Sequence, residues 1–360
     1  MKIVAPISRV EEAAPMAAAG AGEIYCGIVP ADWTDRFRSA GVNRRAFGNL
    51  TRYEDLAEVV DIASGHGATV SLVMNAQHYA DEQVDVLLDL AGRFAEMGGH
   101  ALIVGDIGLL ARLGERDLPV RLHASSLLAA RNAEAAALLG RLGARRIVLP
   151  RDVTLDEIAA MAARRPDLEF EAFVLNDGCV FEEGNCHTIH LPGRLGGPIC
   201  LDRYATGYSR VDGRALDDAE AKALAANDEC HDRWLWYRFG CGFSQTPEGL
   251  PFGPCGLCAL PDMAAAGLAA VKIAGREGPL ERKLASVRMV RATLDRLEAT
   301  GRADAVAAFA QGLRRRPDLC ASGYMCYYRE VLDRPAPPPQ DRAGDDCVSA
   351  AADPTLPRAM

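Results

Sequence analysis

The sequence predicts an α/β fold, a TIM-like (β/α) barrel with a cysteine-rich insertion between its seventh and eighth strands. Two observations predict it. Up to about residue 175, short apolar runs rich in β-branched residues alternate with longer amphipathic segments. Seven such alternations follow one another, which indicates parallel strands. That many units close into a barrel more readily than they form an open sheet.

The elements follow from changes in the spacing of apolar residues between about 2 and about 3.6. Strands are expected at residues 2–5, 23–27, 69–75, 101–104, 120–123, 146–149 and 169–174, with an eighth at 270–273. Helices are expected at residues 10–19, 53–64, 81–97, 108–113, 132–142 and 154–163, with another at 280–300. The insertion, residues 176–269, then leaves the carboxyl ends of the strands, where barrel enzymes carry their chemistry.

The chain divides into three expected regions. Residues 1–300 form the barrel together with its insertion, and residues 301–333 form a helical extension that contains cysteines. Residues 334–360 begin with a proline-rich run and lack the apolar content to fold alone. We expect that tail to be extended or disordered.

The composition narrows the classes of function. The 360 residues carry a formal net charge of -9, which provides no overall attraction to nucleic acid phosphates and makes a nucleic acid partner a minority hypothesis. The first residues lack an apolar run of signal-peptide length, and no window approaches a membrane span. We therefore expect a cytoplasmic protein without a membrane partner, in which clustered cysteines serve metal or redox chemistry.

The cysteines concentrate in the insertion, where seven of the eleven lie between Cys179 and Cys258. Cys179 and Cys186 are separated by six residues on a glycine-containing loop, and Cys200 and Cys255 follow on later loops. Four thiolates could thus meet at the barrel mouth, a donor set that suits zinc or an iron–sulfur cluster. Spacing alone does not decide between the metals, and scattered buried thiols are the alternative.

Several segments carry a family resemblance through their order and spacing. They are Gly22-Glu23-Ile24-Tyr25-Cys26-Gly27, Val73-Met74-Asn75, Leu102-Ile103-Val104-Gly105-Asp106, Leu122-His123-Ala124-Ser125-Ser126 followed by Asn132, Arg146-Ile147-Val148-Leu149-Pro150-Arg151, and Phe173-Val174. Together they make most of residues 1–300 resemble the collagenase-like U32 peptidase family. The resemblance implies a (β/α) barrel, and it extends to iron–sulfur proteins of the UbiU/UbiV type.

The resemblance also implies a cofactor and its ligands. Several members of the U32 family carry a 4Fe-4S cluster held by four cysteines. The first three correspond to Cys179, Cys186 and Cys200, and the fourth to Cys255, with Cys258 as the alternate. UbiU/UbiV-type relatives take part in oxygen-independent hydroxylation, for which prephenate is the implied oxygen source, and other relatives hydroxylate RNA bases.

Two cations at the eighth strand are candidate substrate-binding residues. Lys272 and Arg276 would lie near the mouth, where a guanidinium can grip a carboxylate of a substrate such as prephenate. An ordinary salt bridge is the alternative. The family has Lys-Ile-Glu-Gly-Arg at this place, whereas this chain has Ala274 in place of the acid. If that glutamate supports catalysis in relatives, this chain has different chemistry or a different base.

Three residues that end strands are candidate catalytic residues. His123 could transfer a proton, and Asn75 and Asp106 would face the same mouth. A core histidine bonded to a neighbouring loop is the alternative for His123. For Asp106 the alternative is to cap the following helix.

The expected function is oxygen-independent hydroxylation, or a related redox modification, of a small molecule. RNA base hydroxylation is one alternative. A peptidase is another, although no Ser-His-Asp order, His-Glu-x-x-His helix or cysteine-protease signature supports it. The third is a non-catalytic, cluster-bearing subunit whose partner, in a hetero- or homodimer, is a paralogous barrel.

Overall fold

The computed structural model describes residues 1–37, 41–45, 47–179, 183–185, 206–235, 253–323 and 325–333. Its strands are β1 Lys2–Pro6, β2 Glu23–Cys26, β3 Thr69–Met74, β4 Ala101–Val104, β5 Arg121–Ala124, β6 Ala144–Val148, β7 Glu169–Leu175 and β8 Ala270–Ile273. They form one closed barrel in chain order, and every neighbouring pair is parallel. The predicted TIM-like barrel is confirmed.

The helices are α1 Ala13–Ala18, α2 Ala31–Phe37, α3 Tyr53–Gly65, α4 Asp81–Glu96, α5 Ile107–Gly114, α6 Ala133–Arg141, α7 Leu155–Arg164, α8 Asp218–Leu235, α9 Leu260–Ala265, α10 Leu280–Thr300, α11 Ala303–Arg314 and α12 Pro317–Ser322. Local signals set several of their starts. Asn132 caps α6 by accepting from the amide of Ala135, and Thr154 and Glu157 form a capping box at α7. No helix in the described ranges combines the length and apolar character needed to cross a membrane.

The strands have two different faces. Ile3, Ile24 and Leu72 belong to the large apolar core, which lies between the barrel and the surrounding helices, as alternation along a strand requires. The neighbouring positions Val4 and Tyr25 belong to a second, smaller cluster inside the barrel. Charged side chains occupy much of the remaining barrel interior, which departs from the branched apolar layers usual in such barrels.

The carboxyl-terminal extension is joined to the end of the insertion by backbone hydrogen bonds. The amide of Cys255 donates to the carbonyl of Met325 at 2.6 Å, and the amide of Tyr327 donates to the carbonyl of Cys255 at 2.9 Å. An isolated antiparallel bridge also pairs Cys255 with Leu175, the last residue of β7. The extension is thereby tied to the carboxyl end of the barrel. The expected disordered tail, residues 334–360, lies outside the described residues.

Candidate active site at the carboxyl end of the barrel

Arg276, which follows β8, is buried at the barrel mouth between two asparagines. Its Nη2 donates to Asn43 Oδ1 at 2.6 Å and its Nη1 donates to Asn49 Oδ1 at 3.0 Å. The Asn43 amide nitrogen also donates to Asn49 Oδ1 at 2.9 Å. Burial lowers the pKa of the Arg276 guanidinium below its usual value. Both hydrogen-bond partners are neutral amides, so neither cancels the positive charge of Arg276.

The close approach of Arg276 requires a glycine at the end of the second strand. A Cβ placed on Gly27 would lie 2.1 Å from Arg276 Nη1 and 2.3 Å from Asn49 Oδ1. No real side chain fits at those distances, so the missing side chain of Gly27 makes the space that the guanidinium occupies.

A second arginine is held by the loop that follows β7. Arg45 Nη2 donates to Asp177 Oδ2, and the charge of Asp177 raises the pKa of Arg45. Asn176 and Asp177 adopt the left-handed backbone region, with φ of 66° and 52°. The Asn176 side chain donates to Ser286 Oγ at 3.0 Å, and the Tyr327 hydroxyl donates to the Asn176 carbonyl. The surroundings therefore hold this strained turn from both sides.

The loop between Cys179 and Cys186 is anchored to the mouth through Glu183. Glu183 Oε1 accepts from Ser126 Oγ at 2.8 Å and from Arg151 Nη1. Burial opposes the charge of Arg151, but the negative charge of Glu183 outweighs it and raises the pKa of Arg151 well above its usual value. The loop is fixed further along as well, because Gln77 Nε2 donates to the carbonyl of Gly184 at 2.9 Å.

The three residues predicted to be catalytic do not form one group. Asn75 lies at the end of β3, where its Oδ1 accepts from the amide of Arg44 at 3.1 Å and its Nδ2 donates to Ser125 Oγ at 3.5 Å. Asp106 caps α5, with Oδ1 accepting from the amide of Leu109 at 2.7 Å. That contact is the capping alternative considered for Asp106. A catalytic role for either residue stays a prediction.

His123 lies inside the barrel, fully buried, in a charged network rather than at the mouth. Its Nδ1 is 3.8 Å from Glu23 Oε1. Within the described part of the chain, neither ring nitrogen has a hydrogen-bond partner. Burial, followed by the charges of Arg146 and Lys272, lowers the pKa of His123 well below 6.5. The imidazole is therefore neutral near pH 7. His123 is a core histidine, as the alternative expected, but the described residues show no hydrogen bond from it to a neighbouring loop.

Lys272 belongs to the same interior network. Its Nζ donates to Glu171 Oε1 at 2.8 Å and lies 4.3 Å from the centroid of the Tyr25 ring. Arg146 Nη1 donates to Glu171 Oε2 at 3.0 Å and to Glu23 Oε2 at 2.8 Å. Of the two cations predicted to bind substrate, Arg276 is at the mouth, while Lys272 is engaged in an ion pair below it.

Donor atoms of Glu23, His123 and Glu171 lie within 4.8 Å of one another, a grouping that could hold a metal ion. However, Arg146 contacts both carboxylates and Lys272 contacts Glu171. Side-chain cations therefore already neutralise the two acids. A divalent ion would have to displace them, so the chemistry of this group favours a charge-balanced interior network over a metal site.

Two of the predicted cluster cysteines lie close to the end of β7. Cys179 follows Leu175 by four residues, and Cys255 is paired with Leu175 through a backbone bridge. Both thiols are half-buried. Two soft thiol donors are thus present near one strand end. Cys186 and Cys200 lie outside the described residues, so the ligand set stays a prediction.

Two features were not predicted from the sequence: the buried acids Glu23 and Glu171 inside the barrel, and the ion pair of Arg45 with Asp177 at its mouth. The acids leave a local signal, because Glu169-Phe170-Glu171 places charges at alternating positions of an apolar strand, and one face of such a strand must point into the barrel. The pairing of Arg45 with Asp177 leaves no such signal. The two residues are far apart in the chain and meet only through the fold.

Comparison with known proteins identifies the family. Residues 8–334 match the profile described as Peptidase family U32. A 23S rRNA 5-hydroxycytidine C2501 synthase from Escherichia coli (strain K12) is 33% identical over 138 residues, which cover 38% of this chain and 20% of that protein. The tRNA hydroxylation protein P2 from Bacillus subtilis (strain 168) is 31% identical over 138 residues, covering 38% of this chain and 44% of that protein.

Among solved structures, the U32 peptidase Mk0906 is similar with a TM-score of 0.39 and 16% identity, over 48% of this chain and 69% of that one. The matches to the two curated relatives span less than half of the length of either relative. The family profile, in contrast, covers most of the chain. This chain therefore belongs to peptidase family U32.

Proposed function

We propose that this chain takes part in oxygen-independent hydroxylation of a base in RNA. The observation that carries the proposal is the similarity to two proteins whose names state a hydroxylated rRNA nucleoside and tRNA hydroxylation. The net charge of -9 had made a nucleic acid partner the less expected alternative. A local cationic site can still bind an anion on an acidic protein.

The cation available for an anionic group is Arg276. Its hydrogen-bond partners Asn43 and Asn49 fix the guanidinium without neutralising it. A planar guanidinium can bind two oxygens of a phosphate or a carboxylate at once. Arg276 would therefore orient either an RNA phosphate or a carboxylate of a prephenate-type oxygen donor. Arg45 is paired with Asp177, and Arg151 is paired with Glu183. These two pairs would shape the mouth around Arg276.

We further propose that Cys179, Cys186 and Cys200 hold a 4Fe-4S cluster, as the family resemblance implies. When bound, such a cluster supplies one-electron transfer. Support comes from Glu183, whose hydrogen bonds to Ser126 and Arg151 anchor the loop between the first two of these cysteines at the mouth. The resemblance puts the fourth ligand at Cys255 or Cys258, and zinc is the alternative metal.

The test combines genetics with nucleoside analysis. RNA from a strain that lacks this chain is digested and compared with wild-type RNA by mass spectrometry, after growth without oxygen. We expect one hydroxylated nucleoside to disappear and to return with the wild-type chain, but not with Cys179→Ser or Arg276→Lys. Iron, sulfide and visible absorbance of anaerobically purified protein then test the cluster. An unchanged set of RNA nucleosides would contradict the RNA substrate.

A small-molecule substrate is the second candidate, and the acidic net charge favours it. Comparison of small-molecule extracts from the same two strains distinguishes the candidates. A hydroxylated metabolite that depends on Cys179, with RNA nucleosides unchanged, would replace the RNA proposal.

A further inference from the structure

Four cysteines line a single pocket on the side of the barrel where the extension packs. They are Cys255, Cys258, Cys320 and Cys326. Cys258 lies in a 3₁₀ turn, Leu257–Ala259, and Cys320 lies in α12. Cys255 and Cys258 were the candidate cluster ligands, and nothing in the spacing joins them to cysteines more than sixty residues later.

Backbone pairing places Cys255 and Cys326 side by side. They form an isolated parallel bridge. In it the amide of Cys255 donates to the carbonyl of Met325, and the amide of Tyr327 donates to the carbonyl of Cys255. Paired residues of neighbouring strands are about 4.8 Å apart and project from the same face. The two thiols therefore start on one side of the bridge, facing the pocket that both residues line.

The other two cysteines approach from the helical side. Cys320, in α12, lines the same cavity as Cys255. Cys258 Sγ lies 4.0 Å from the carbonyl of Ala307 in α11. Four cysteines from two segments of the chain thus line one cavity.

The pocket wall has the character of a thiolate metal site. Leu319, Met325 and Tyr328 supply buried apolar surface that excludes water, and Arg314 and Arg316 add positive charge at the same cavity. Soft thiolates in such a setting bind zinc or iron. Positive side chains offset the negative charge that four thiolates bring to the site.

We propose that Cys255, Cys258, Cys320 and Cys326 form a second metal centre, separate from the thiolates of Cys179, Cys186 and Cys200. The ligands are thiolates, so binding releases the thiol protons to solvent as the metal–sulfur bonds form. The bound group is a thiophilic metal centre, either zinc or a small iron–sulfur cluster. It cross-links the extension to the barrel.

The spacing of the sulfurs favours the larger group. Zinc–sulfur bonds of about 2.3 Å would bring tetrahedral ligands to about 3.8 Å from each other. In the described ranges, no three cysteine sulfurs lie within 4.8 Å of one another. A cluster, whose thiolates bind different iron atoms, accepts wider spacing without rearrangement. Binding of zinc would require the two cysteine-bearing segments to move closer together.

The proposal does not rest on the proposed function, but it changes one expectation about the cluster. Cys255 cannot complete both centres. Its shared cavity with Cys258, Cys320 and Cys326 assigns it to this pocket, which leaves the fourth position of the other centre to a ligand other than Cys255 or Cys258.

The experiment counts metals on the full chain purified without oxygen. Iron, zinc and sulfide per chain are measured for wild type, Cys179→Ser, the double variant Cys320→Ala with Cys326→Ala, and Cys230→Ser as an exposed control. We expect Cys179→Ser to retain the metal of the pocket, the double variant to lose that metal but retain the rest, and Cys230→Ser to match wild type.

Two results would overturn the proposal. One is a Cys179→Ser protein with no bound metal, which needs no folding assumption about the pocket variant. The other is a double variant that is folded by circular dichroism and holds as much metal as wild type, as expected if Cys255 belongs to the first cluster. A disulfide among the pocket cysteines in wild type, seen by intact mass, would point to redox pairing instead. If the metal contents of all variants are as expected but no hydroxylated RNA nucleoside depends on this chain, the proposed function is contradicted and the second metal centre is not.

Discussion

Arg146 and Glu23 form an ion pair inside the barrel, with 2.8 Å between Nη1 and Oε2, and both side chains are almost fully buried. The same guanidinium contacts Glu171 and Glu169, each at 3.0 Å. Burial alone raises the pKa of Glu23, but the charge of Arg146 and the hydrogen bond from Ser71 outweigh it, so the pKa lies below its usual value. Arg146 thus joins acids from β2 and β7.

Arg146→Met removes the cation that these carboxylates share. Breaking a buried pair by removing one partner typically costs about 3–5 kcal/mol, because the other charge is left buried and uncompensated. We expect the free energy of unfolding in urea to fall by about that amount. Arg121→Met is the matched control. Arg121 donates to Glu169 at 2.6 Å but is partly exposed, and such pairs contribute about 0.2–1 kcal/mol. Equal losses in the two variants would contradict the role of burial.

The neutral His123 predicts a dependence of stability on acid. In the unfolded chain histidine takes a proton near pH 6.5, whereas burial keeps the pKa of native His123 well below that value. The unfolded state therefore binds more protons as the pH falls below 6.5, and stability decreases. The contribution is fully present above that pH. The charged and titratable groups around His123 are Glu23, Glu171, Arg146, Lys272, Arg121 and the half-buried His100.

His123→Asn removes this titration. Between pH 6.5 and about pH 5.5 we expect the wild type to lose roughly 1 kcal/mol through His123, and the variant to lose correspondingly less. The remaining slope includes His100, whose pKa burial also lowers. Urea unfolding at several pH values measures the slope, and an unaltered slope in His123→Asn would mean that the native histidine accepts a proton.

The barrel could be predicted because its signals are local. Each strand is marked by a short apolar run. Capping residues such as Asn132 and Thr154 mark helix starts that the structure reproduces. Helices α2, α8 and α9 were missed. In α8 most described side chains are exposed, so the apolar stripe that marks a packed helix is weak there.

The site was predictable only in part, since its parts meet through the fold. Arg276 was found because it ends a strand, and the mouth is where strand ends gather. Its partners Asn43 and Asn49 lie more than two hundred residues earlier, and no pattern joins them to it. The cysteine pocket is a stronger case. Cys255 and Cys326 become neighbours only when the extension pairs with the insertion.

Gly27→Ala tests whether the position of Arg276 matters apart from stability. The added methyl group would overlap the ends of the Arg276 and Asn49 side chains, which can move at small cost to the fold. Because a misplacement of about 1 Å can lower a rate on the order of 10²-fold, we expect hydroxylation to fall strongly while the unfolding temperature changes little. Gly65→Ala is the control. Nothing lies within 4 Å of its added methyl group, and alanine suits the end of α3. Full activity in Gly27→Ala would separate Arg276 from the reaction.

The end of α11 offers a prediction about stability alone. Arg315 is exposed and holds the left-handed conformation that ends the helix, with φ of 52°. A non-glycine residue there is strained by about 1–2 kcal/mol, and glycine is the residue that usually occupies such a cap. Part of the relief is offset, because glycine also makes the unfolded chain more flexible.

Arg315→Gly should therefore raise the free energy of unfolding by about 0.5–1 kcal/mol, measured in urea with the same metal content as wild type. The matched control is Arg165→Gly, at the end of α7. Arg165 holds the equivalent cap position with φ of -130° and donates to Asp167 at 2.8 Å. Without left-handed strain to relieve, that variant should gain no stability. A gain at both sites would mean that removing an arginine, rather than relaxing the backbone, stabilises the chain.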